Sequence, residues 1–294
     1  PCQGWQDTDA FYTHSIVPTK AKYFRFVYDP EGTEPGAEDL DPAKWNQGLK
    51  VAKIYLSNEP LIDNYQGKSG AIWRLSPQSS VEEIGKKDCV DPSKMINISK
   101  FVDEKGVLNW KTPSKGNWRI IRFGHTSTGH ENATAGAGRG LEVDKFNAEA
   151  VRFQLDHWFG EMLRTAGPEL ASKVVKILHM DSWECGSQNW SPVFQEEFKK
   201  RRGYDIVDYL PVMAGIPLND IETSEKVLYD VRKTISELIV DNFFGTLADE
   251  AKKAGVKFSS ENVAPTMMSD GLLHFKYIDY PSGEFWLKSP THDK

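Results

Sequence analysis

The chain has 294 residues, 39% hydrophobic and 27% charged, the balance of a globular protein with room for one large domain or two ordinary ones. Its net charge of −6 argues against a nucleic-acid partner, which wants a basic face, and it has no apolar run of about 18 residues to span a bilayer. The opening PCQGWQDTDA lacks the basic and apolar regions of a secretory signal, and Cys2, Cys89 and Cys185 stand too far apart for a zinc site or a disulfide framework.

In chain order, the first hundred or so residues are rich in strand and turn signals. KYFRFVYD (Lys22–Asp29) alternates Tyr23, Arg25 and Val27 against Phe24, Phe26 and Tyr28, and LKVAKIYLS (Leu49–Ser57) is a second strand-like run. Turn residues with a solvated acidic face separate them, and no amphipathic helix is convincing before Gly116. Residues 1–116 are therefore expected to be a β-rich, sandwich-like portion.

The texture then changes. NWRIIRFGHT (Asn117–Thr126) reads as a strand, followed by a glycine-rich loop. Asn147 can cap a helix carrying Ala148, Val151, Leu155, Trp158, Phe159 and Met162 at helical spacing. KVVKILHMD is the next strand. Ser191-Pro192 then signals a helix running to KKRRG, with Gly203 just beyond it. A longer helix is expected from about Ser224 to Ala254, with Leu228, Val231, Ile235, Leu238, Ile239 and Leu247 on one face, and VKFSSEN follows as a third strand. Strand, helix, strand, helix, strand is the pattern of parallel βαβ units.

The loop Gly124–Gly140 lies where a dinucleotide loop would lie, but Gly136, Gly138 and Gly140 make G-x-G-x-G rather than the G-x-G-x-x-G of a pyrophosphate cradle. It reads instead as a surface loop or as the wall of a substrate cleft. His179 and Asp181, two apart at a strand end, could hold a metal, but no second histidine cluster supports them.

The acids carry more weight. Asp181 and Glu184 follow the second strand, Glu261 ends the third, and Glu284 sits in YPSGEFW beside Trp286. In a parallel α/β architecture the strand C-termini collect on one face, so separate strands deliver carboxylates and Trp183, Trp190 and Trp286 to one opening. Glycoside hydrolysis needs such a pair, one carboxyl protonated to assist the leaving oxygen and one ionised to activate water or attack carbon. An indole beside a glutamate excludes water from it and favours the acid role. The competing readings are a non-catalytic carbohydrate-binding protein using the same tryptophans, and a metal-dependent hydrolase built on His179 and Asp181.

These residues resemble a known family. HMDSWECGSQNWSPVFQEEFKKRRGYDIVDYLPVMAGIP (His179–Pro217) is similar to the signature of glycoside hydrolase family 106, the α-L-rhamnosidases. WRIIRFGHTSTG, GRGLEVDKFNAEAV and YPSGEFW resemble its flanking segments, so the likeness covers most of Trp118 to Trp286. It implies a (β/α)8 TIM-type barrel with β-sandwich modules, cleavage of terminal α-L-rhamnose with inversion, a rhamnose-containing oligo- or polysaccharide as partner, an exported, periplasmic location, and in some members calcium. Glu184 is then the expected general acid and Glu284 the base, although Glu261 also ends a strand. Asp181 would bind sugar hydroxyls or the metal. Trp183, Asn189, Trp190, Asn262, Trp286, His179 and Asp144 complete the expected substrate-binding set with Glu261. Residues 117–294 hold about half the strands of a closed barrel, so the chain is expected to be part of a larger enzyme.

Overall fold

The computed structural model describes residues 11–27, 51–72, 84–113, 115–132, 136–181, 186–261 and 270–283. Helix α1 (Ala148–Leu155) starts where Asn147 Oδ1 accepts a 3.0 Å hydrogen bond from the Glu149 amide. It continues through a π turn, Asp156–Gly160, into α2 (Glu161–Val174), which breaks at Gly167 before Pro168. The wider π turn advances each residue by less than the α-helical 100°. This brings Phe159 rather than Trp158 back over Leu155: Phe159 is buried, whereas Trp158 is 62% exposed and Met162 is also exposed.

Strand β1 (Ile177–Met180) follows, then α3 (Phe194–Arg202), closed by Gly203 in the left-handed region at φ 85°. The helix begins two residues later than the Ser191-Pro192 signal suggests, because those residues form a turn and Ser191 Oγ donates to Asp144. The long helix also starts elsewhere than Ser224. Asp220 caps α4 (Ile221–Leu238), its Oδ1 accepting from the Thr223 amide at 2.7 Å, and Ser224 is fully buried, bonded to Leu218. A second π turn, Ile239–Phe244, leads into α5 (Gly245–Lys253). All six apolar residues predicted for this helix face are buried.

Strands β2 (Lys257–Glu261) and β3 (Tyr280–Ser282) complete a parallel sheet of order β1-β2-β3. Leu178 pairs with Phe258, His179 with Ser259, and Ser259 with Tyr280. Alternation separates the two faces of the sheet. Leu178 and Phe258 are buried on the face that packs against the helices, with α5 lying on β2. Ile177, His179, Ser259 and Tyr280 share the opposite face, and Ile177, His179 and Tyr280 are exposed. Among the described residues β1 and β3 each have a single ladder partner.

The core runs as a chain of rings from Phe146 through Phe194 and Phe198 to Tyr204, with neighbouring centroids 5.1–6.1 Å apart. Arg201 ties α3 to the second π turn through Asp241 at 2.9 Å, and Arg202 pairs with Glu237 of α4. Burial alone would raise the Asp241 carboxyl, but hydrogen bonds from Arg201, Tyr277 and Lys276 outweigh it and hold it below the usual range.

The strands expected at residues 22–27, 51–57 and 117–126 do not form among the described residues. Tyr23, Phe24, Phe26 and Val27 are all exposed, so no partner sheet buries either face of that alternating run. Pattern alone cannot supply the ladder partner that a strand needs. In residues 84–113 the regular structure is three short 3-10 turns and two isolated bridges, Val102 to Leu108 antiparallel and Val90 to Leu218 parallel. Residues 61–70 nonetheless join the main core. Ile62 is fully buried, Lys68 pairs with Glu225 at 2.6 Å, and Arg232 Nη1 donates to the Lys68 carbonyl at 2.8 Å.

Candidate active site

Parallel pairing puts the C-terminal ends of all three strands on one edge of the sheet. Glu261 closes β2 opposite Ser282 of β3, and Asp181 directly follows Met180, the last residue of β1, whose partner is Ser260. Neighbouring strands lie about 4.8 Å apart, so Asp181 and Glu261 occupy adjacent positions at this edge. Asp181 is exposed; Glu261 is 7% exposed. Of the expected site residues, Trp183, Glu184, Asn262, Glu284 and Trp286 lie outside the described residues. In sequence Glu184 stands four residues past β1 and Glu284 two past β3.

On the face opposite the helices that cover Leu178 and Phe258, His179 Nδ1 lies 3.2 Å from Ser259 Oγ, which donates to the Tyr280 carbonyl at 3.0 Å. Since the hydroxyl proton goes to Tyr280, His179 carries its own proton on Nδ1 and leaves Nε2 as an acceptor when neutral. A hydroxyl donor, such as one on a sugar, suits that nitrogen. Among the described residues no three or more His, Cys, Asp or Glu side chains gather as a ligand group.

The loop after β1 is held by its own polar residues. Asp144 accepts from the Phe146 amide at 3.1 Å, from Gln188 Nε2 at 2.5 Å and from Ser191 Oγ at 2.6 Å. Gln188 Oε1 in turn accepts from the Lys145 amide at 3.2 Å. Asn189 Nδ2 donates to the Ser69 carbonyl at 3.2 Å, and the Trp190 ring packs on Phe194 with centroids 5.1 Å apart. The expected sugar ligands Asp144, Asn189 and Trp190 thus all brace the fold. Asp144 and Trp190 also line a cavity of about 420 Å³, and Asn189 is absent from its walls.

Three segments wall that cavity: residues 125–128, residues 142–145, and the loop after β1 at 186–188 and 190–192. Residues 125–128, at the start of the glycine-rich loop, therefore line this cavity. The glycine-rich loop meets the loop after β1 where His130 crosses Gly186, whose φ is 75° and whose Cβ, were there one, would collide with the His130 ring. Ser187, Gln188 and the hydroxyls of 126–128 were missed as site residues in the sequence. The signal was present in the adjacency of Gly186 and Ser187 to the acidic loop.

The sequence profile of glycoside hydrolase family 106, alpha-L-rhamnosidase, matches residues 17–294. The chain belongs to this family. A protein of Formosa agariphila named "Putative beta-glucuronidase" is 36% identical over 200 residues, covering 67% of this chain and 17% of that protein. The structure of a rhamnosidase from Novosphingobium sp. PP1Y is similar with a TM-score of 0.63 and 28% identity, over 74% of this chain and 21% of that one. The chain thus spans about a fifth of the length of these relatives.

Proposed function

We propose that this chain is part of a glycosidase that removes terminal α-L-rhamnose from plant-type polysaccharides with inversion. Glu184 serves as the general acid and Glu284 as the base on water. The observation that carries this reading is the common edge of three adjacent parallel strands, with a carboxylate at or shortly after each strand end. Family membership and the rhamnosidase fold support the sugar and the reaction class. In this reading the three strands form part of a (β/α)8 barrel. The face away from those helices is the barrel interior, which explains its polar His179 and Ser259 opposite the apolar Leu178 and Phe258.

Inversion requires a water between the two carboxyls, which then stand about 6.5–9.5 Å apart. The acid protonates the departing glycosidic oxygen while the base takes a proton from water attacking the opposite face of the ring. Asp181 and His179 Nε2 hold sugar hydroxyls, and the methyl group of rhamnose suits indole walls. Calcium, if the full-length protein carries it, is proposed at Asp181 together with residues outside those described. An exported, periplasmic location rests on the family alone; among the described residues no helix is long and apolar enough to cross a membrane.

Proton NMR of the first turnover of the full-length protein on an aryl α-L-rhamnoside tests the reading. β-L-Rhamnose formed first supports inversion, and α-L-rhamnose formed first contradicts it. The name of the Formosa relative makes an aryl β-glucuronide the control substrate. Preference for that substrate would replace rhamnose with a uronic acid.

A further inference from the structure

The 420 Å³ cavity is large enough for one or two sugar units, within the usual range of small-ligand sites of about 300–1,000 Å³. Its walls combine five hydroxyl side chains and the Gln188 amide with charged and apolar residues and one indole, Trp190, whose ring packs on Phe194. Such a lining is what a saccharide recognises, with hydrogen bonds to the hydroxyls and an apolar surface for the ring face.

One wall group makes no hydrogen bond among the described residues. Ser187 Oγ is buried, lines the cavity and has no hydrogen-bond partner among the described residues. By contrast Ser191 Oγ on the same loop donates to Asp144, and Gln188 is tied to both Asp144 and Lys145. A buried hydroxyl left unpaired costs free energy, and a ligand that pairs with it would offset that cost. Across the cavity Ser127 Oγ and Thr128 Oγ1 accept from the amides of Gly129 and His130, which leaves their own protons to donate.

Charge restricts the occupant. Lys145 is neutralised by Glu142 at 2.7 Å, and Asp144, though bonded to three donors, leaves one net negative charge among Glu142, Asp144 and Lys145. Among the described lining residues Lys145 is the one lysine or arginine, so a uronate would meet that charge without a second such cation to offset it. Ser187 is also three residues from Glu184, so the chain can separate their Cα atoms by no more than about 11 Å, roughly one or two sugar units.

We propose that this cavity is a subsite for a neutral sugar on the leaving-group side of the scissile bond, with Ser187 as a ligand to one of its hydroxyls. The location relative to the bond rests on the glycosidase reading above; the saccharide site itself does not. The test is a calorimetric titration of the full-length protein with methyl β-D-glucopyranoside and, separately, with methyl β-D-glucuronide, repeated with Ser187→Ala. The glucoside binds saturably, the glucuronide at least about threefold more weakly, and Ser187→Ala weakens the glucoside about tenfold, the loss of one buried hydrogen bond. Because Ser187 Oγ bonds nothing among the described residues, the same variant keeps its thermal midpoint; a structural hydroxyl would lower it. No saturable binding, equal affinity in the variant, or tighter binding of the glucuronide overturns the proposal. Hydrolysis of an aryl α-L-rhamnoside, read separately, decides the glycosidase reading without bearing on these affinities.

Discussion

Asp144 Oδ2 accepts a 2.6 Å hydrogen bond from Ser191 Oγ, 47 residues further along the chain, and so ties the start of α1 to the loop after β1. Gln188 reaches Oδ1 of the same carboxylate at 2.5 Å. Replacing Asp144 leaves the Phe146 amide and two side-chain donors without their acceptor. Asp144→Ala is expected to cost about 3 kcal/mol of stability in urea unfolding, since a buried donor left unpaired costs about 1–3 kcal/mol. A loss below about 0.5 kcal/mol would show that this carboxylate serves substrate rather than fold.

Gly186→Ala is expected to destabilise in two separable parts. The left-handed φ of 75° costs a side chain about 1–2 kcal/mol wherever it occurs, and the new Cβ also displaces the His130 ring. Adding His130→Ala removes the clash but not the backbone cost. Thermal unfolding of the pair therefore recovers only part of the loss, and full recovery would mean that the backbone at 186 is relaxed.

Acid should unfold this protein in a step set by His274. Its ring is fully buried, stacked on Phe244 with centroids 4.7 Å apart, and burial pushes its pKa down to about 4 despite nearby Asp270. The unfolded chain then binds a proton below about pH 6.5 while the folded one stays neutral. The stability held by neutral His274 is complete above pH 6.5 and falls by up to about 1.4 kcal/mol per pH unit between 6.5 and 4. His274→Gln is expected to flatten the stability profile across that interval, measured by urea midpoints. An unchanged slope would place the acid sensitivity elsewhere. The depressed carboxyl of Asp241 acts lower, its contribution being lost only as pH falls through the carboxylate range.

The second half of the chain was readable because its signals are local. Asn147 caps α1 as its position implies, Gly203 stops α3, and the alternation of Leu178 and Phe258 against His179 and Ser259 follows from their runs. The π turns were not readable, since Phe159 and Trp158 are equally good candidates until the winding is known. Asp220 was readable but passed over: a capping acid three residues before Thr223 is a stronger start signal than Ser224. In the candidate site, the strand-end position of Glu261 and the cavity-lining start of the glycine-rich loop, residues 125–128, were legible. The use of Asp144, Asn189 and Trp190 as braces was not, because Asn189 finds its partner 120 residues away and Asp144 finds donors 44 and 47 residues away.

Assignment of the base separates Glu284 from Glu261. Glu261 is the buried last residue of β2 at the common strand edge, and Glu284 stands two residues past β3 in sequence. Glu284→Gln in the full-length protein is expected to lower kcat on any rhamnoside by about 10²–10⁴-fold, the usual contribution of a positioned base. Glu261→Gln is expected to raise KM more than it lowers kcat. The reverse pattern would exchange their roles.

The most direct measurement is the effect of Glu184→Gln on two substrates of the full-length protein, an alkyl and a nitrophenyl α-L-rhamnoside. Proton donation matters most for the basic alkoxide leaving group, so the variant should lose about 10²–10⁴-fold in kcat on the alkyl rhamnoside and far less on the nitrophenyl one. Equal losses on both, or activity within about threefold of the unaltered protein on the alkyl substrate, would contradict Glu184 as the acid.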